Sequence, residues 1–425
     1  MQARKGVPGL ALVLFLACGG CSGPKPPPRS QPVVEVGAGR IVPRAAAEGR
    51  WSVGPLLSLQ DGTLVLGDTG LSHRTSDGGV TWIQAAELPS RQLLQLRDGS
   101  FCVLDPLTRH AEKRGHFVGR GLDLADLDDP SSWAEDRWTE LPVRVERWTD
   151  LHGDDGRPVT TFRFGGPMLE LEDGTLLTAK GGNFVGDTAP MPGFIPTRGE
   201  KWFKYRTFLM ASTDRGRSWH YRSTVAYDGV SGQESFCEPA LVDLGGGELL
   251  SVMRTGRYAP MYQARSMDGG KTWGPPEPLK TLGLSPMMVV LPNGALVCSF
   301  GWRPFKAIPS QVDGGAYVGA LRDYRQRYRS LVGIEDPSAA AGDYVMASFD
   351  KGHTWSRPVK VADPLTVGYT LLAATGPDTC LLLTRRIVID GLSREEVLQK
   401  WESEWHDWNG KSGAVIEARE IRVTR

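Results

Sequence analysis

Six short segments of the chain share one pattern, in which two apolar runs flank a small turn. The turns lie at Asp61-Gly62, Asp98-Gly99, Asp173-Gly174, Gly246-Gly247, Asn293-Gly294 and Gly376-Pro377-Asp378. Asp-Gly and Asn-Gly supply the positive φ angles that a tight hairpin needs. Each segment is therefore predicted to form two antiparallel strands.

A second motif, which ends in tryptophan, lies downstream of four of these hairpins. Its copies run from Ser76 to Trp82, Ser212 to Trp219, Ser266 to Trp273 and Ser348 to Trp355. Each contains an Asp that can accept backbone N–H bonds, a Gly suited to a left-handed conformation, and a Trp that can cover the turn. The motif is predicted to form a hairpin tip, and a degenerate copy lies between Asp128 and Trp133.

Together the two motifs define a repeating unit of four strands, which is the pattern of a propeller blade. Six units predict an all-β fold, a six-bladed β-propeller with four-stranded antiparallel blades. Two inserted segments, Phe305 to Asp343 and Leu392 to Trp408, interrupt the repeat and are expected to be partly helical loops. The first is expected to be either a lid over the site or a solvated helix.

Composition supports this interpretation and excludes some functions. The 52 Gly and 30 Pro residues indicate many turns. The 49 basic and 49 acidic side chains give a net charge of +0, so a nucleic-acid partner is not expected. No metal-ligand spacing is convincing, and neither a metal nor a cofactor is predicted. The four cysteines in or beside apolar inner strands, expected to be buried free thiols, are Cys102, Cys237, Cys298 and Cys380.

The N-terminal segment has the layout of a secretory signal, with Arg4 and Lys5 before an apolar run from Leu10 to Ala17. Cys18 and Cys21 each follow small residues and resemble the acylated cysteine of a bacterial lipoprotein. We therefore expect a signal at 1–21, a Pro-rich tether at 22–48 and the propeller at 49–425. An exported lipoprotein, periplasmic or on the cell surface, is predicted, with membrane contact only through the lipid; plain secretion is the alternative.

The Trp-tipped turns resemble the Asp-boxes, or BNR repeats, of the sialidase (neuraminidase) superfamily, and the resemblance runs from about residue 50 to the C-terminus. It implies a six-bladed propeller fold. Asp-boxes also occur in propellers that are not sialidases, and in the sialidase family they lie on the periphery. Their aspartates are therefore interpreted as structural.

The chemistry is expected at one rim of the propeller. Because a tight hairpin returns the chain to its starting edge, residues before each first strand should meet residues that end each second strand. The residues expected to converge are Gly54, Arg91, Gly166, Glu238, Ser285 and Tyr369, together with Asp68, Lys180, Arg254, Arg303, Arg385 and Arg386. Several arginines favour a sugar that carries a carboxylate.

The family resemblance gives four of these positions a role. Glu238 and Arg254 resemble the sialidase Glu before an innermost strand and the Arg that ends the next strand. Arg303 resembles the Arg of the following blade, and Tyr369 the nucleophilic tyrosine. The resemblance implies that Glu238 activates Tyr369 and that Arg254 and Arg303 bind the substrate carboxylate. A neutral hydroxyl suits an anionic anomeric centre better than a carboxylate does.

The sequence also departs from the sialidase pattern. Val53 stands where the family has its first arginine. Arg50 or Arg163 can reach in from elsewhere, or Arg385 or Arg386 can take that place. Asp68 is a weak substitute for the family's acid, and Asp187 is a second candidate. Lys180 and His73 have no family counterpart.

These observations predict an exported sialidase-like glycoside hydrolase that acts on an anionic, carboxylate-bearing sugar of a glycan or glycoconjugate. One alternative is a non-catalytic propeller that binds a glycan or a protein. Another is a lyase or hydrolase that uses the same residues on uronate sugars.

Overall fold

Strands make up almost all the regular structure in the computed structural model. The structure describes residues 31–46, 54–67, 71–90, 92–158, 161–163, 166–191, 201–256, 259–302, 342–362, 366–389, 391–397 and 413–425. One compact unit covers Pro32–Arg425. No described helix is long and apolar enough to cross a bilayer.

The strands follow one another with few interruptions. The first thirteen are β1 (Val33–Val36), β2 (Arg40–Ala46), β3 (Leu56–Ser58), β4 (Leu64–Gly67), β5 (Ser72–Thr75), β6 (Ile83–Ala85), β7 (Gln92–Gln95), β8 (Phe101–Leu104), β9 (Arg109–His110), β10 (His116–Leu124), β11 (Thr139–Arg144), β12 (Met168–Glu170) and β13 (Leu176–Gly182). The others are β14 (Arg206–Ser212), β15 (Trp219–Ala226), β16 (Cys237–Asp243), β17 (Leu249–Arg254), β18 (Pro260–Ser266), β19 (Glu277–Leu282), β20 (Leu284–Val290), β21 (Leu296–Trp302), β22 (Gly342–Ser348), β23 (Val359–Ala362), β24 (Thr366–Ala374), β25 (Thr379–Val388) and β26 (Gly413–Thr424). Short 3-10 helices cover Pro130–Trp133 and Glu135–Arg137, and a single helical turn covers residues 394–397.

The described strands form five sheets. Three are four-stranded and antiparallel: β3 to β6, β16 to β19, and β20 to β23. A nine-stranded sheet joins two antiparallel runs, because β11 and β15 pair in parallel at Val143 and Trp219. The last sheet has the order β1-β26-β25-β24, with β2 also on β26. The all-β prediction is confirmed.

All six predicted hairpins are present as antiparallel pairs. They are β3–β4, β7–β8, β12–β13, β16–β17, β20–β21 and β24–β25. At the first turn, Gly62 has φ +86° and Thr63 N donates to Asp61 Oδ1 at 2.8 Å. The local chemistry of the turn therefore sets the register of the hairpin.

The strands of the six hairpins, here called the inner strands, contact one another in the order of the chain. Contacts run from β3 to β7, β7 to β12, β13 to β16, β16 to β20, β20 to β24, and from β24 back to β3. These contacts return to the strand where they begin, so the sheets share a common interior.

The N-terminal strands correct one predicted boundary. The tether predicted at 22–48 contains β1 and β2, and both pair with β26. Val34 and Val36 pack against a buried cluster that contains Ile421 and Val423, which ties this stretch to the sheet. The folded part therefore begins before residue 49. Cys18 and Cys21 lie outside the described residues.

Each Asp-box is held by the same hydrogen bonds. In the third copy, Ser266 Oγ donates to Asp268 Oδ1 and accepts from Gly270 N, both at 2.8 Å. Thr272 donates to the Asp268 carboxylate from N at 2.9 Å and from Oγ1 at 2.6 Å. The side-chain and backbone bonds from Thr272 lower the pKa of Asp268 to about 2. The same bonds recur at Asp77, Asp214 and Asp350.

The Asp-boxes also join neighbouring sheets. Ser223 Oγ on β15 donates to Gly270 O at 2.6 Å and accepts from Trp273 Nε1 at 3.1 Å. Gln263 on β18 donates to Gly352 O and accepts from Trp355 Nε1, both at 3.1 Å. The aspartates are thus engaged in their own turns, which supports the interpretation that they are structural.

Cys102, Cys237, Cys298 and Cys380 are buried and free, as predicted. Residues 305–341 and 398–408 of the insertions lie outside the described residues. Ser393 and Glu396 form a reciprocal cap at the helical turn: Ser393 N donates to Glu396 Oε2 at 2.7 Å, and Glu396 N donates to Ser393 Oγ at 3.3 Å.

Candidate active site

A cavity of about 1050 Å³ opens where the inner strands meet. Its apolar and backbone lining comes from Leu56, Leu93, Met168, Pro239, Met287 and Leu371, which lie on six different inner strands. Its charged and polar lining includes Arg163, Lys180, Tyr205, Glu234, Glu238 and Arg254. The convergence predicted from the repeat is therefore observed for Gly166, Lys180, Glu238, Arg254 and Ser285.

A bulge in β16 directs Glu238. Cys237 pairs with Arg254, but the next pair joins Ala240 to Val252, so the register shifts at Glu238 and Pro239. Glu238 has φ +44°, a left-handed conformation that is strained for a residue with a side chain. Bulges redirect side chains and are frequent beside active sites.

A second bulge of this kind lies in β20, in the next sheet. The register of β20 shifts between Leu284 and Met287, and Ser285 has φ +46° before Pro286. The shift turns the backbone N–H of Ser285 toward the neighbouring strand, where it donates to Glu238 Oε2 at 2.9 Å. The bulge in β20 thereby orients the carboxylate of Glu238, which lies in the bulge of β16.

Tyr369 and Arg254 meet at the second oxygen of Glu238. Tyr369 Oη donates to Glu238 Oε1 at 3.0 Å, and Arg254 Nη1 donates to the same oxygen at 2.8 Å. Gly301 allows β24 to approach this closely, since a Cβ at that position would lie 2.2 Å from Gly368 Cα. The predicted Tyr–Glu–Arg cluster is thus assembled from three sheet elements, β24, β16 and β17.

Arg254 already has two carboxylate partners. Its Nη2 donates to Glu234 Oε1 at 2.8 Å, in addition to the bond to Glu238. Burial on its own lowers the pKa of Arg254, but the charges of Glu234 and Glu238 outweigh burial and raise it well above the usual value. One guanidinium therefore faces two carboxylates, and the cluster is net negative when both glutamates are ionised.

Two uncharged side chains, Cys237 and Tyr205, also line this part of the cavity. Cys237 Sγ donates to Glu234 Oε2 at 3.3 Å, and burial, followed by the charge of Glu234, raises the pKa of the Cys237 thiol well above its usual value. Burial also raises the pKa of Tyr205, with Cys237 and Glu234 as further causes. Both groups therefore stay protonated near neutral pH.

Lys180 and Arg163 line another part of the cavity. Lys180 Nζ lies 5.1 Å from the ring centroid of Phe162 and 5.9 Å from that of Trp148. Burial, and then the charge of Arg163, lower the pKa of Lys180 to about 8. Arg163 is exposed to the cavity and solvent.

Other predicted site residues lie elsewhere. Arg386 Nη1 is 3.5 Å from Glu417 Oε2 on β26, and Arg385 is only 5% exposed. Burial lowers the pKa of Arg385. Neither is part of the described cavity lining.

Asp187, the second candidate acid, is buried and accepts hydrogen bonds from Arg206 Nε at 3.0 Å and Nη2 at 2.5 Å. It lines a separate cavity of about 420 Å³ and is therefore an ion-pair partner rather than a group of the main site. His73 is buried on β5 and does not line the main cavity. Asp68, Arg303, Arg50 and Arg91 lie outside the described residues.

Glu234 is a site residue that the sequence pattern missed. It lies in the irregular segment before β16, where no repeat position marks it. The one available signal is its position three residues before Cys237, close to the strand start that holds Glu238.

Residues 128–299 match the family described as a BNR repeat-like domain. No curated protein sequence matches the chain. A solved structure of a protein of unknown function from Dyadobacter fermentans has 15% identity and a TM-score of 0.50, and the match covers 91% of this chain and 99% of that one.

Two further solved structures are also similar to the chain. A NanB sialidase variant from Streptococcus pneumoniae has 11% identity and a TM-score of 0.47, with 89% of this chain and 69% of that chain covered. A polysaccharide lyase, an ulvan lyase, has 11% identity and a TM-score of 0.35, with 68% and 65% covered. Similarity at this level of identity concerns the fold alone. The matched residues 128–299 contain the Asp-boxes of Asp214 and Asp268, so the family match and these two motifs agree.

Proposed function

We propose that the chain is an exported, sialidase-like glycoside hydrolase that acts on an anionic, carboxylate-bearing sugar. The observation that carries the proposal is the 3.0 Å hydrogen bond from Tyr369 Oη to Glu238 Oε1. A nucleophile within hydrogen-bond reach of a base, with the base oriented by a third group, is the arrangement that covalent catalysis needs. Arg254 and the N–H of Ser285 are the orienting groups.

The proposed reaction has two steps. As Tyr369 Oη bonds to the anomeric carbon, its proton passes to Glu238, and the bond to the aglycone oxygen breaks. A general acid protonates that oxygen, and Asp68 remains the predicted residue. Water then attacks the anomeric carbon and gives a proton to the general acid, which lost its own in the first step, while the bond to Tyr369 Oη breaks and Glu238 returns its proton to that oxygen. A neutral phenol avoids the repulsion that a carboxylate nucleophile would meet at an anionic sugar.

The six-bladed architecture belongs to the same proposal. The circuit of contacts from β3 through the inner strands and back to β3 supports it. We further propose export through the N-terminal signal, with an acyl anchor on Cys18 or Cys21.

A substitution at Tyr369 tests the function. Purified chain is assayed on methylumbelliferyl glycosides of sialic acid and of uronic acids. Tyr369→Phe is expected to abolish hydrolysis and leave folding intact. Tyr262→Phe is the matched control and is expected to retain activity, because Tyr262 packs against a buried cluster that contains Phe236 and Met253 and is not among the residues that line the cavity. Full activity in Tyr369→Phe would discard the tyrosine mechanism.

A second candidate is a propeller that binds an anionic glycan without turning it over. The engagement of Arg254 by both Glu234 and Glu238 favours it, because that guanidinium is less available to a substrate carboxylate. Saturable binding by wild type, with no hydrolysis of any acidic glycoside, would support this candidate. Release of an unsaturated uronate product would indicate a lyase.

A further inference from the structure

The described cavity lining carries charges of opposite sign in different places. The cluster of Arg254, Glu234 and Glu238 pairs one cation with two carboxylates. Lys180 and Arg163 line the same cavity, and within the described part of the chain neither is ion-paired to a carboxylate. An anion that enters this cavity is therefore repelled by the cluster of Arg254, Glu234 and Glu238. It is attracted by Lys180 and Arg163.

Lys180 lies on β13, which contacts the strand that carries Glu238. An added Cβ at its neighbour Gly181 would lie at an ordinary contact distance of 3.5 Å from Cys237 Cα. Gly182 abuts the ring of Trp148, where an added Cβ would lie 2.0 Å away. Trp148 thus packs against the backbone close to Lys180, and the rings of Phe162 and Trp148 flank the ammonium group.

We propose that Lys180 and Arg163 form the subsite that receives the anionic group of the ligand. The proposal rests on the proposed function only in taking an anionic sugar as the ligand. A ligand oxyanion there would neutralise two cations that otherwise repel each other. At Arg254 the same oxyanion would have to compete with two carboxylates already bonded. A carboxylate and a sulfate share this chemistry.

The subsite makes binding dependent on pH. Because the pKa of Lys180 is about 8, its charge, and with it part of the attraction for an anion, is lost as pH rises through that value. A bound anion favours the charged form and moves the loss to higher pH. The other titratable or charged groups that line this cavity among the described residues are Arg163, Tyr205, Glu234, Cys237, Glu238 and Arg254.

Calorimetric binding to full-length protein carrying Tyr369→Phe tests the subsite without interference from turnover. The probes are sialyllactose, a glucuronate-terminated disaccharide, sulfated lactose and, as the neutral reference, lactose. We expect at least one anionic probe to bind and lactose to bind about tenfold more weakly or not at all. The carboxylate and sulfate probes distinguish the two sources of oxyanion.

Substitutions then assign the anion to its partners. Lys180→Gln and Arg163→Gln are each expected to weaken binding of the anionic probe by about tenfold or more, whereas Lys180→Arg retains it. Lys280→Gln and Arg144→Gln remove charges from exposed strand positions outside the cavity lining and are the matched controls. Affinity should fall as pH rises through about 8 with Lys180 present and stay level with Lys180→Arg.

Unchanged affinity in both Lys180→Gln and Arg163→Gln would overturn the subsite, as would equal binding of lactose. Failure of all the anionic probes to bind would overturn it as well. These outcomes are separable from failure of the proposed function. Charge-dependent binding without any hydrolysis by wild type would retain the subsite and remove the hydrolase. Hydrolysis that is lost in Tyr369→Phe, with binding unaffected by Lys180→Gln and Arg163→Gln, would retain the hydrolase and remove the subsite.

Discussion

Tyr369 and Glu238 are 131 positions apart in the chain, yet the hydroxyl of the first donates a 3.0 Å hydrogen bond to the carboxylate of the second. The two residues lie on β24 and β16, and β20 contacts both strands. Ser285 on β20 holds the other oxygen of Glu238 at 2.9 Å. The pair therefore depends on the relative position of three sheets, and changes at their contacts should affect activity as well as stability.

Removal of the base should slow catalysis while the site keeps its shape. Glu238→Gln preserves the size of the side chain but cannot take the Tyr369 proton, so kcat should fall by about 10²- to 10⁴-fold. Steady-state kinetics on the best acidic glycoside measures the effect. Glu277→Gln, at an exposed position on β19, should match wild type. Equal kcat in the two variants would remove Glu238 from the base role.

The close approach of two strands behind Tyr369 should tolerate no added methyl group. In Gly301→Ala the new Cβ would lie 2.2 Å from Gly368 Cα and 2.3 Å from Gly368 O, so β24 must shift. We expect a loss of about 1–3 kcal/mol in the free energy of unfolding, together with lower activity. Denaturant titration measures the first and kinetics the second. Gly274→Ala is the control, because its nearest neighbour, Arg265 O, would be 3.6 Å away; a similar loss in both variants would contradict the steric explanation.

The Asp-box carboxylates should stabilise the fold in a manner that depends on pH. Asp268→Ala removes the acceptor for Thr272 N and Oγ1 and should lower the free energy of unfolding by about 1–3 kcal/mol at neutral pH. Because the pKa of Asp268 in the folded state is lowered from 3.8 to about 2, this stabilisation is present above the unfolded value and is lost as pH falls through about 2. The gap in Tm between wild type and variant should therefore narrow with acid. Asp136→Ala, in the exposed 3-10 segment, should leave Tm unchanged at every pH.

The four described cysteines should resist modification in the folded state. Burial raises the pKa of Cys102 to about 12 and also raises the pKa values of Cys237, Cys298 and Cys380. Little thiolate is present at neutral pH, and the sulfur atoms are inaccessible. Peptide mapping after treatment with a maleimide should find these sites unlabelled in native protein and labelled in denaturant. Rapid native labelling at any of the four would contradict this prediction.

Export should leave a chemical mark on the N-terminus. If Cys18 or Cys21 is acylated, intact-mass analysis of the membrane fraction should give a chain that begins at that cysteine and carries fatty acyl groups. Serine at the acylated position should release the protein from the membrane fraction, and serine at the other should not. An unmodified N-terminus downstream of Ser22 would indicate plain secretion.

Local patterns determined the hairpins and the Asp-boxes. Asp61-Gly62 and Asn293-Gly294 specify turns through their own φ preferences, and Asp268 meets its partners within four residues along the chain. Such interactions depend on neighbours in sequence, so the sequence alone predicts them. The convergence of Glu238, Arg254 and Tyr369 was also predictable, but only because the repeat places equivalent positions at one rim.

Tertiary structure decided the rest, because those features join residues that no local rule relates. The bulges that give Glu238 and Ser285 positive φ angles arise where neighbouring strands are packed together. Glu234 reaches Arg254 from an irregular segment, and Lys180 and Arg163 come together in one cavity from different stretches of the chain. The attachment of β1 to β26 likewise joins the two ends of the described chain. Hydrogen bonds and charge interactions act over a few ångströms in space. The spacing of residues along the sequence does not show which of them lie that close once the sheets have packed.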